Sequence, residues 1–480
     1  MLQFTPSDKV KKIRASIDHP VIDSDGHLIE YLPAVRDRLR DLAGSDVARR
    51  FDRHYWTMDH GYRVPPEVRR RFGISQGPWW TFHAKASLDR ATSMLPALQF
   101  ERLPELGIDF AVVYPSYFIQ FPVAEDEDFR RAGCRAVNQY LADTYAGLTE
   151  RMLPVAAIPM NTPEEGLDEL RYATRELGFR AVVMQGVILR KAGEPPRIWV
   201  DGLGHDSAYN YDPVWKFCED NGIAATFHSS GMNWGSHASM SNFMFNHVGH
   251  FAAAGEATAR SLLFGGVPKR FPRLRFAFLE GGVAWAGALF GQFSGNYSKR
   301  NGRAVDHYNP AHLDHDLIRS LFSQYATDEM KKHTGGLEHA LMPLSTPREP
   351  CDEFAESGFE SVEDIANVFA RSLFFGCEGD DPMNALATSS FARFLGTRIN
   401  TIYGSDIGHW DVRNMREVLP EVYELVEHGI YDHDDFRAIV FDSPVRLWTD
   451  NNLDFFAGTA VESQVHERRQ QLNAQMGAVK

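Results

Sequence analysis

Val21 to Glu30 reads VIDSDGHLIE, an apolar run that breaks into Asp, Asp, His and Glu, as a strand does when it delivers ligands at its end. Side chains i and i+2 of a strand share a face. Asp25 and His27 therefore point the same way, one carboxylate and one imidazole within reach of a single cation. Asp23 lies a step back on that face and Glu30 just beyond, in the turn. A D-x-H taken alone is equally an ordinary strand followed by a polar loop. The remainder of the chain decides between the two.

From about residue 101, short β-branched or aromatic runs alternate with helical patterns. Asp109 to Pro115 (DFAVVYP), Met152 to Ile158 (MLPVAAI) and Phe179 to Gln185 (FRAVVMQ) read as strands. So do Ile223 to His228 (IAATFH), Leu274 to Glu280 (LRFAFLE), Ser372 to Cys377 (SLFFGC) and Asn400 to Asp406 (NTIYGSD). Helices are expected between them, at Glu125–Leu148, after the Asn161-Thr162-Pro163 cap, at Pro213–Asn221, from about His250 to Gly265, and after Gly281-Gly282. Further helices are expected at Pro382–Leu395, Asn414–His428 and Asp434–Phe441, and a long loop at 186–211. With the first stretch there are eight strands near residues 21, 109, 152, 179, 223, 274, 372 and 400, which argues for a (β/α)8 barrel spanning 1–480. A doubly wound sheet is the alternative, but its glycine fingerprint after the first strand is absent. Two segments interrupt the alternation and read as insertions, at about 31–100 and 299–365. The first is rich in arginine, proline and aromatics, with Trp79, Trp80 and His83 expected to wall the pocket.

In a barrel, chemistry collects where the strands end at the C-terminal face. The last polar residues of the strands are Asp25 and His27 on the first, His228 on the fifth, Glu280 on the sixth, Glu378 just past the seventh and Asp406 on the eighth. Two histidines with two carboxylates suit a divalent metal, and zinc, manganese and iron all accept such a set. His409, three residues past Asp406, is placed to reach substrate or metal. Each of these has an ordinary role when taken singly: a strand-end histidine, a turn aspartate, a helix-capping Glu280 before Gly-Gly.

The segments IDSDGHLIE, FHSSG, KRFPRLRFAFLEGG and YGSDIGHWD, in that order, resemble the amidohydrolase-related metal-dependent enzymes of the aminocarboxymuconate semialdehyde decarboxylase type. The resemblance spans about residues 21 to 450 and leaves both insertions unmatched. It implies a single metal on Asp25, His27, His228 and Asp406. Decarboxylases and many hydrolases of this group carry a catalytic histidine at the end of the sixth strand, where this chain has Glu280. His247 and His250, spaced i, i+3 at the start of a helix, lie near in sequence. Glu30, His250 and Glu280 are accordingly candidate ligands of a second metal ion, and Asp406, Glu280, His250 and His409 candidate catalytic residues.

Composition narrows the partners. Fifty basic against 64 acidic residues give a net charge of −14, which argues against nucleic acid or an anionic membrane and leaves a small molecule as the expected substrate. Hydrophobic residues at 44% allow a large core, yet no apolar run is long enough to cross a bilayer and no secretory signal opens the chain, so a cytoplasmic location is expected. Four scattered cysteines, with no C-x-x-C pair, support neither a disulfide framework nor a zinc ribbon. The leading expectation is hydrolysis by a metal-activated water. Non-oxidative decarboxylation and oxygen activation at a dinuclear iron or manganese site are the alternatives. Assembly as a homo-oligomer or with a homologous subunit is expected, and a metal-poor structural subunit is disfavoured by the intact D-x-H, His and Asp.

Overall fold

The computed structural model describes residues 3–61, 64–77, 85–337, 339, 352–389 and 399–478. In chain order the strands are β1 (Ile22–Leu28), β2 (Phe110–Pro115), β3 (Met152–Ile158), β4 (Ala181–Met184), β5 (Ile188–Ala192), β6 (Arg197–Asp201), β7 (Ala225–Phe227), β8 (Phe276–Phe278), β9 (Leu373–Glu378) and β10 (Asn400–Gly404). All eight runs expected as strands are present, and they pair in parallel in the order β1-β2-β3-β4-β7-β8-β9-β10. Their residues are buried almost throughout, as a parallel sheet covered by helices requires. The last strand returns to the first: Asp406 N donates to Asp25 O at 3.0 Å and His27 N to Ile407 O at 2.9 Å. The fold is a (β/α)8 barrel, and one hydrophobic cluster runs from Val10 to Val465.

The segment expected as a loop at 186–211 contains the antiparallel hairpin β5–β6. Its strands are largely exposed and charged, with Arg190 Nε on Asp201 Oδ2 at 3.0 Å, so no apolar alternation marks them in the sequence. The first insertion is helical rather than irregular, with helices at Leu32–Gly61, Pro66–Phe72, Ser87–Thr92 and Pro96–Leu106. Among its described side chains the first of these buries a thin stripe, Val35, Leu39, Val47, Ala48 and Phe51, and carries ion pairs such as Arg36 with Asp52. Trp79, Trp80 and His83 lie outside the described residues. The segment does reach the barrel mouth, because Asn246 Nδ2 donates to Ser75 Oγ at 3.1 Å and to Gln76 O at 2.9 Å. In place of the helix expected at Pro382–Leu395 there is a 3-10 turn at Pro382–Ala387, and residues 390–398 lie outside the described residues.

A buried arginine fastens this segment to the last βα loop. Arg102, 1% exposed, donates from Nη1 to Asp89 Oδ1 and Thr92 Oγ1, and from Nε to Glu105 Oε2, each at 2.7 Å. The other oxygen of Asp89 accepts from Met415 N at 3.2 Å. Next to this cluster, Ile29 N donates to Ser93 O at 2.7 Å and Gln99 Nε2 to His27 O at 3.4 Å, so the clasp buttresses the end of β1. No helix among the described residues is long and apolar enough to cross a membrane.

Candidate metal centre

β1 brings Asp25 and His27 together through an irregularity. Its register against β2 slips by one residue between Asp23 and Gly26, the signature of a bulge, which re-aims side chains near many active sites. A Cβ at 26 would stand 2.8 Å from Asp23 Oδ2 and would displace that carboxylate. Asp23 itself does not join the ligands. Its carboxylate accepts from Ser405 N at 2.9 Å, Ser405 Oγ at 2.5 Å and Asp25 N at 3.1 Å, tying β1 to the loop that carries Asp406. Burial pushes its pKa up to about 6. The crossing of these two segments is tight: a Cβ at Gly404 would stand 2.8 Å from that of Asp25.

Four more groups converge on this pair from other strand ends. His27 Nε2 lies 3.3 Å from Asp25 Oδ1 and 3.3 Å from Asp406 Oδ1. His228, just past β7, places Nε2 at 2.9 Å from Oε2 of Glu280, which follows β8, and both side chains are 3% exposed. His409 stacks on His27 with ring centroids 3.7 Å apart and sets Nδ1 at 2.5 Å from Asp406 Oδ1. Its Nε2 meets Ser116 Oγ at 3.1 Å. Phe251 meets the His228 ring edge-on at 4.9 Å and closes the apolar side. Glu280 and Asp406 adopt left-handed backbone conformations, with φ of 58° and 51°. A non-glycine residue held there stores of order 1 kcal/mol of strain, and such residues concentrate at functional sites.

Within this cluster three sets each offer ligand atoms all within 4.8 Å of one another: Asp25, His27 and His228; His27, Glu280, Asp406 and His409; and His247, Glu280 and Asp411. Burial lowers the pKa values of His27 and His228 and takes that of His409 to about 3, so these imidazoles are neutral at pH 7 and able to ligate. Burial also raises the carboxyls of Asp25, Asp406 and Glu280 well above the usual range, and the Asp411 charge adds to the rise at Asp406 and Glu280.

The candidates named from sequence divide. Asp25, His27, His228, Asp406, Glu280 and His409 come together. Glu30 is in none of the three sets: it lies two residues past the end of β1, and its Oε2 accepts from Tyr117 N at 3.0 Å. His250 is adjacent, its Nδ1 accepting from Gly231 N at 3.3 Å, and it belongs to none of the three sets. His247 and Asp411 lie near Glu280 instead. In the sequence His247 shows only as the neighbour of His250, and Asp411 only as the last residue of GSDIGHWD.

The amidohydrolase family model matches residues 22–304. The chain belongs to the amidohydrolase family. A solved amidohydrolase from Mycobacterium avium subsp. paratuberculosis K-10 is similar to it in fold, with a TM-score of 0.53 at 15% identity over 90% of this chain and 100% of that one. Dihydroxybenzoic acid decarboxylase from Polaromonas sp. JS666, solved with manganese and the inhibitor 2-nitroresorcinol, gives a TM-score of 0.50 at 14% identity over 92% and 100%. At such identities the likeness is one of fold.

Amidohydrolases usually bind a divalent metal, and the donors of this amidohydrolase fit one. Asp25 Oδ1, His27 Nε2, His228 Nε2 and Glu280 Oε2 are buried and complete no hydrogen bond, although they approach one another closely. Polar atoms so placed are costly unless something charged engages them. Neutral imidazole nitrogens mixed with carboxylate oxygens suit zinc, manganese and iron alike.

Proposed function

We propose that this amidohydrolase is a metal-dependent hydrolase of a small organic substrate bearing a carbonyl or carboxylate group. The carrying observation is the buried convergence of Asp25, His27, His228 and Asp406, which would hold the ion, with Glu280 and His409 against them. A divalent ion held by these residues would bring the pKa of a bound water close to neutrality and polarise a substrate oxygen.

The protein's own residues supply the proton handling. Asp406 is the acceptor for the proton lost by the attacking water, and His409, neutral and facing it at 2.5 Å, orients the carboxylate while its far nitrogen is fixed by Ser116. Glu280 stands on the opposite side, 2.9 Å from His228, where its carboxyl is placed to hand a proton to the leaving group. Glu280 borders a cavity of about 260 Å³ lined also by His247, Phe251, Ala252, Gly282 and Glu378, whose size suits a small substrate.

The test is the fate of solvent oxygen. Manganese-loaded protein is incubated in ¹⁸O-labelled water with a panel of small aryl esters, amides, lactones and hydroxybenzoic acids. One labelled oxygen per turnover in the product, lost after chelation, is the expected result. Carbon dioxide release without label would replace hydrolysis by decarboxylation, and consumption of dioxygen would replace it by oxygen chemistry.

A further inference from the structure

A second cavity, of about 370 Å³, runs from Asp406 into the space between β10 and the helix Val418–Glu427. Its wall is acidic. Glu378, Asp380, Glu417 and Glu421 line it together with Asp406 and Asp411, so that among the described residues six carboxylates stand against the single guanidinium of Arg413. The first four belong to none of the three ligand sets, and a metal ion does not account for them. Among the described residues no lysine, arginine or histidine forms an ion pair with any of these four. Their charge is left facing the cavity and the solvent at its opening.

A buried hydroxyl faces the same space. Position 404 faces Asp25 on the inner side of the barrel, so strand alternation turns Tyr403 the other way, toward the helix that carries Glu421. Tyr403 is 0% exposed, it lines the cavity, and its hydroxyl completes no hydrogen bond. A phenol oxygen accepts from an ammonium, and carboxylates around a concave space focus a field that draws cations in and repels anions. The 260 Å³ cavity that borders Glu280 continues the pattern. Glu378 lines both cavities, and among the described residues no lysine or arginine lines the smaller one.

We propose that this cavity is the subsite for a basic group of the substrate, with Tyr403 and Glu421 among the acceptors of its ammonium, so that the enzyme acts on an ester or amide carrying a positive charge near the reacting carbonyl. The proposal rests on the reading of Asp406 as part of the reacting centre, because the cavity reaches the chemistry through that residue. It narrows the substrate class: a carboxylate entering here would meet like charge on every side except that of Arg413, whose side chain is exposed to solvent.

Binding tests this apart from turnover. The full chain, loaded with manganese(II), is titrated by calorimetry with benzylamine, benzyl alcohol and phenylacetate, three probes of similar size that differ in charge. Benzylamine is expected to bind at least about 10-fold more tightly than the other two, by a margin that shrinks as salt is raised. Tyr403→Phe should weaken benzylamine by about 10-fold, as loss of a hydrogen bond to a charged group does, with the melting temperature unchanged because the hydroxyl bonds to nothing in the free protein. Asp380→Asn and Glu421→Gln, at two exposed positions, should each weaken it by about 3-fold. Equal affinity for the three probes, or tighter phenylacetate, would overturn the proposal, and a benzylamine preference undiminished in all three variants would overturn its assignment to this cavity. An intact preference in a protein that hydrolyses no ester or amide would instead overturn the hydrolytic reading and leave the cation subsite standing.

Discussion

His228→Ala and Asp406→Asn are each expected to reduce turnover by about 100-fold or more and to strip metal from the first site while the barrel stays folded. Even the hydrogen-bonding partners of metal ligands are worth about 10–100-fold in affinity or activity, so loss of a direct ligand should cost at least as much. The fold should survive because both side chains project from strand ends into the mouth. His228 follows β7 and touches Glu280 and Phe251, and Asp406 follows β10 and faces His27 and His409. Asparagine is also among the residues that tolerate the left-handed backbone at 406, so the second variant changes charge without changing local geometry. The measurements are metal per chain, steady-state kinetics and circular dichroism. Normal metal content with full activity in either variant would remove that residue from the site.

The second large effect concerns stability. Arg102→Met should destabilise the protein by about 3–5 kcal/mol, the range seen when one partner of a buried ion pair is removed and the other is left uncompensated. Arg102 is 1% exposed, and its loss deprives Asp89, Thr92 and Glu105 of a donor at once. Methionine fills similar volume, so the effect is electrostatic rather than a cavity. Asp89→Asn introduced into the same chain should recover part of the loss, since it removes the stranded charge while its side-chain oxygen can still accept from Met415 N. Urea denaturation of the two variants beside the parent measures both changes. A shift below about 1 kcal/mol for Arg102→Met would mean that the cluster is solvated well enough to do without its cation.

How much of this was legible in the sequence follows from where each residue sits. Asp25 and His27 could be paired because alternation along a strand fixes direction, and the bulge at Asp23 to Gly26 preserved their shared face. His228 and Asp406 could be placed because barrel topology gathers strand ends at one mouth. Glu30 lies beyond the last strand residue, Leu28, where no period fixes the direction of a side chain. His247 and Asp411 lie on a short helix and a loop, where side-chain direction depends on the path of the chain and not on a period. That path is set by distant contacts such as Asn246 with Gln76 and Trp410 with His247. The helices of the first insertion escaped notice for a related reason. In the first helix, charged residues paired as Arg36 is with Asp52 separate the apolar positions and obscure their period.

The left-handed backbone at Glu280 and Asp406 has a consequence for laboratory evolution of this protein. Glycine would occupy either position without strain, so a library sorted only for heat resistance has an incentive to discard both carboxylates. Such a population would become hardier as it became inert, and no loss of expression or solubility would give warning. Any programme to make a thermostable variant should therefore hold positions 280 and 406 fixed, or alternate its stability rounds with a screen for bound metal, in which the discarded ligands become visible at once.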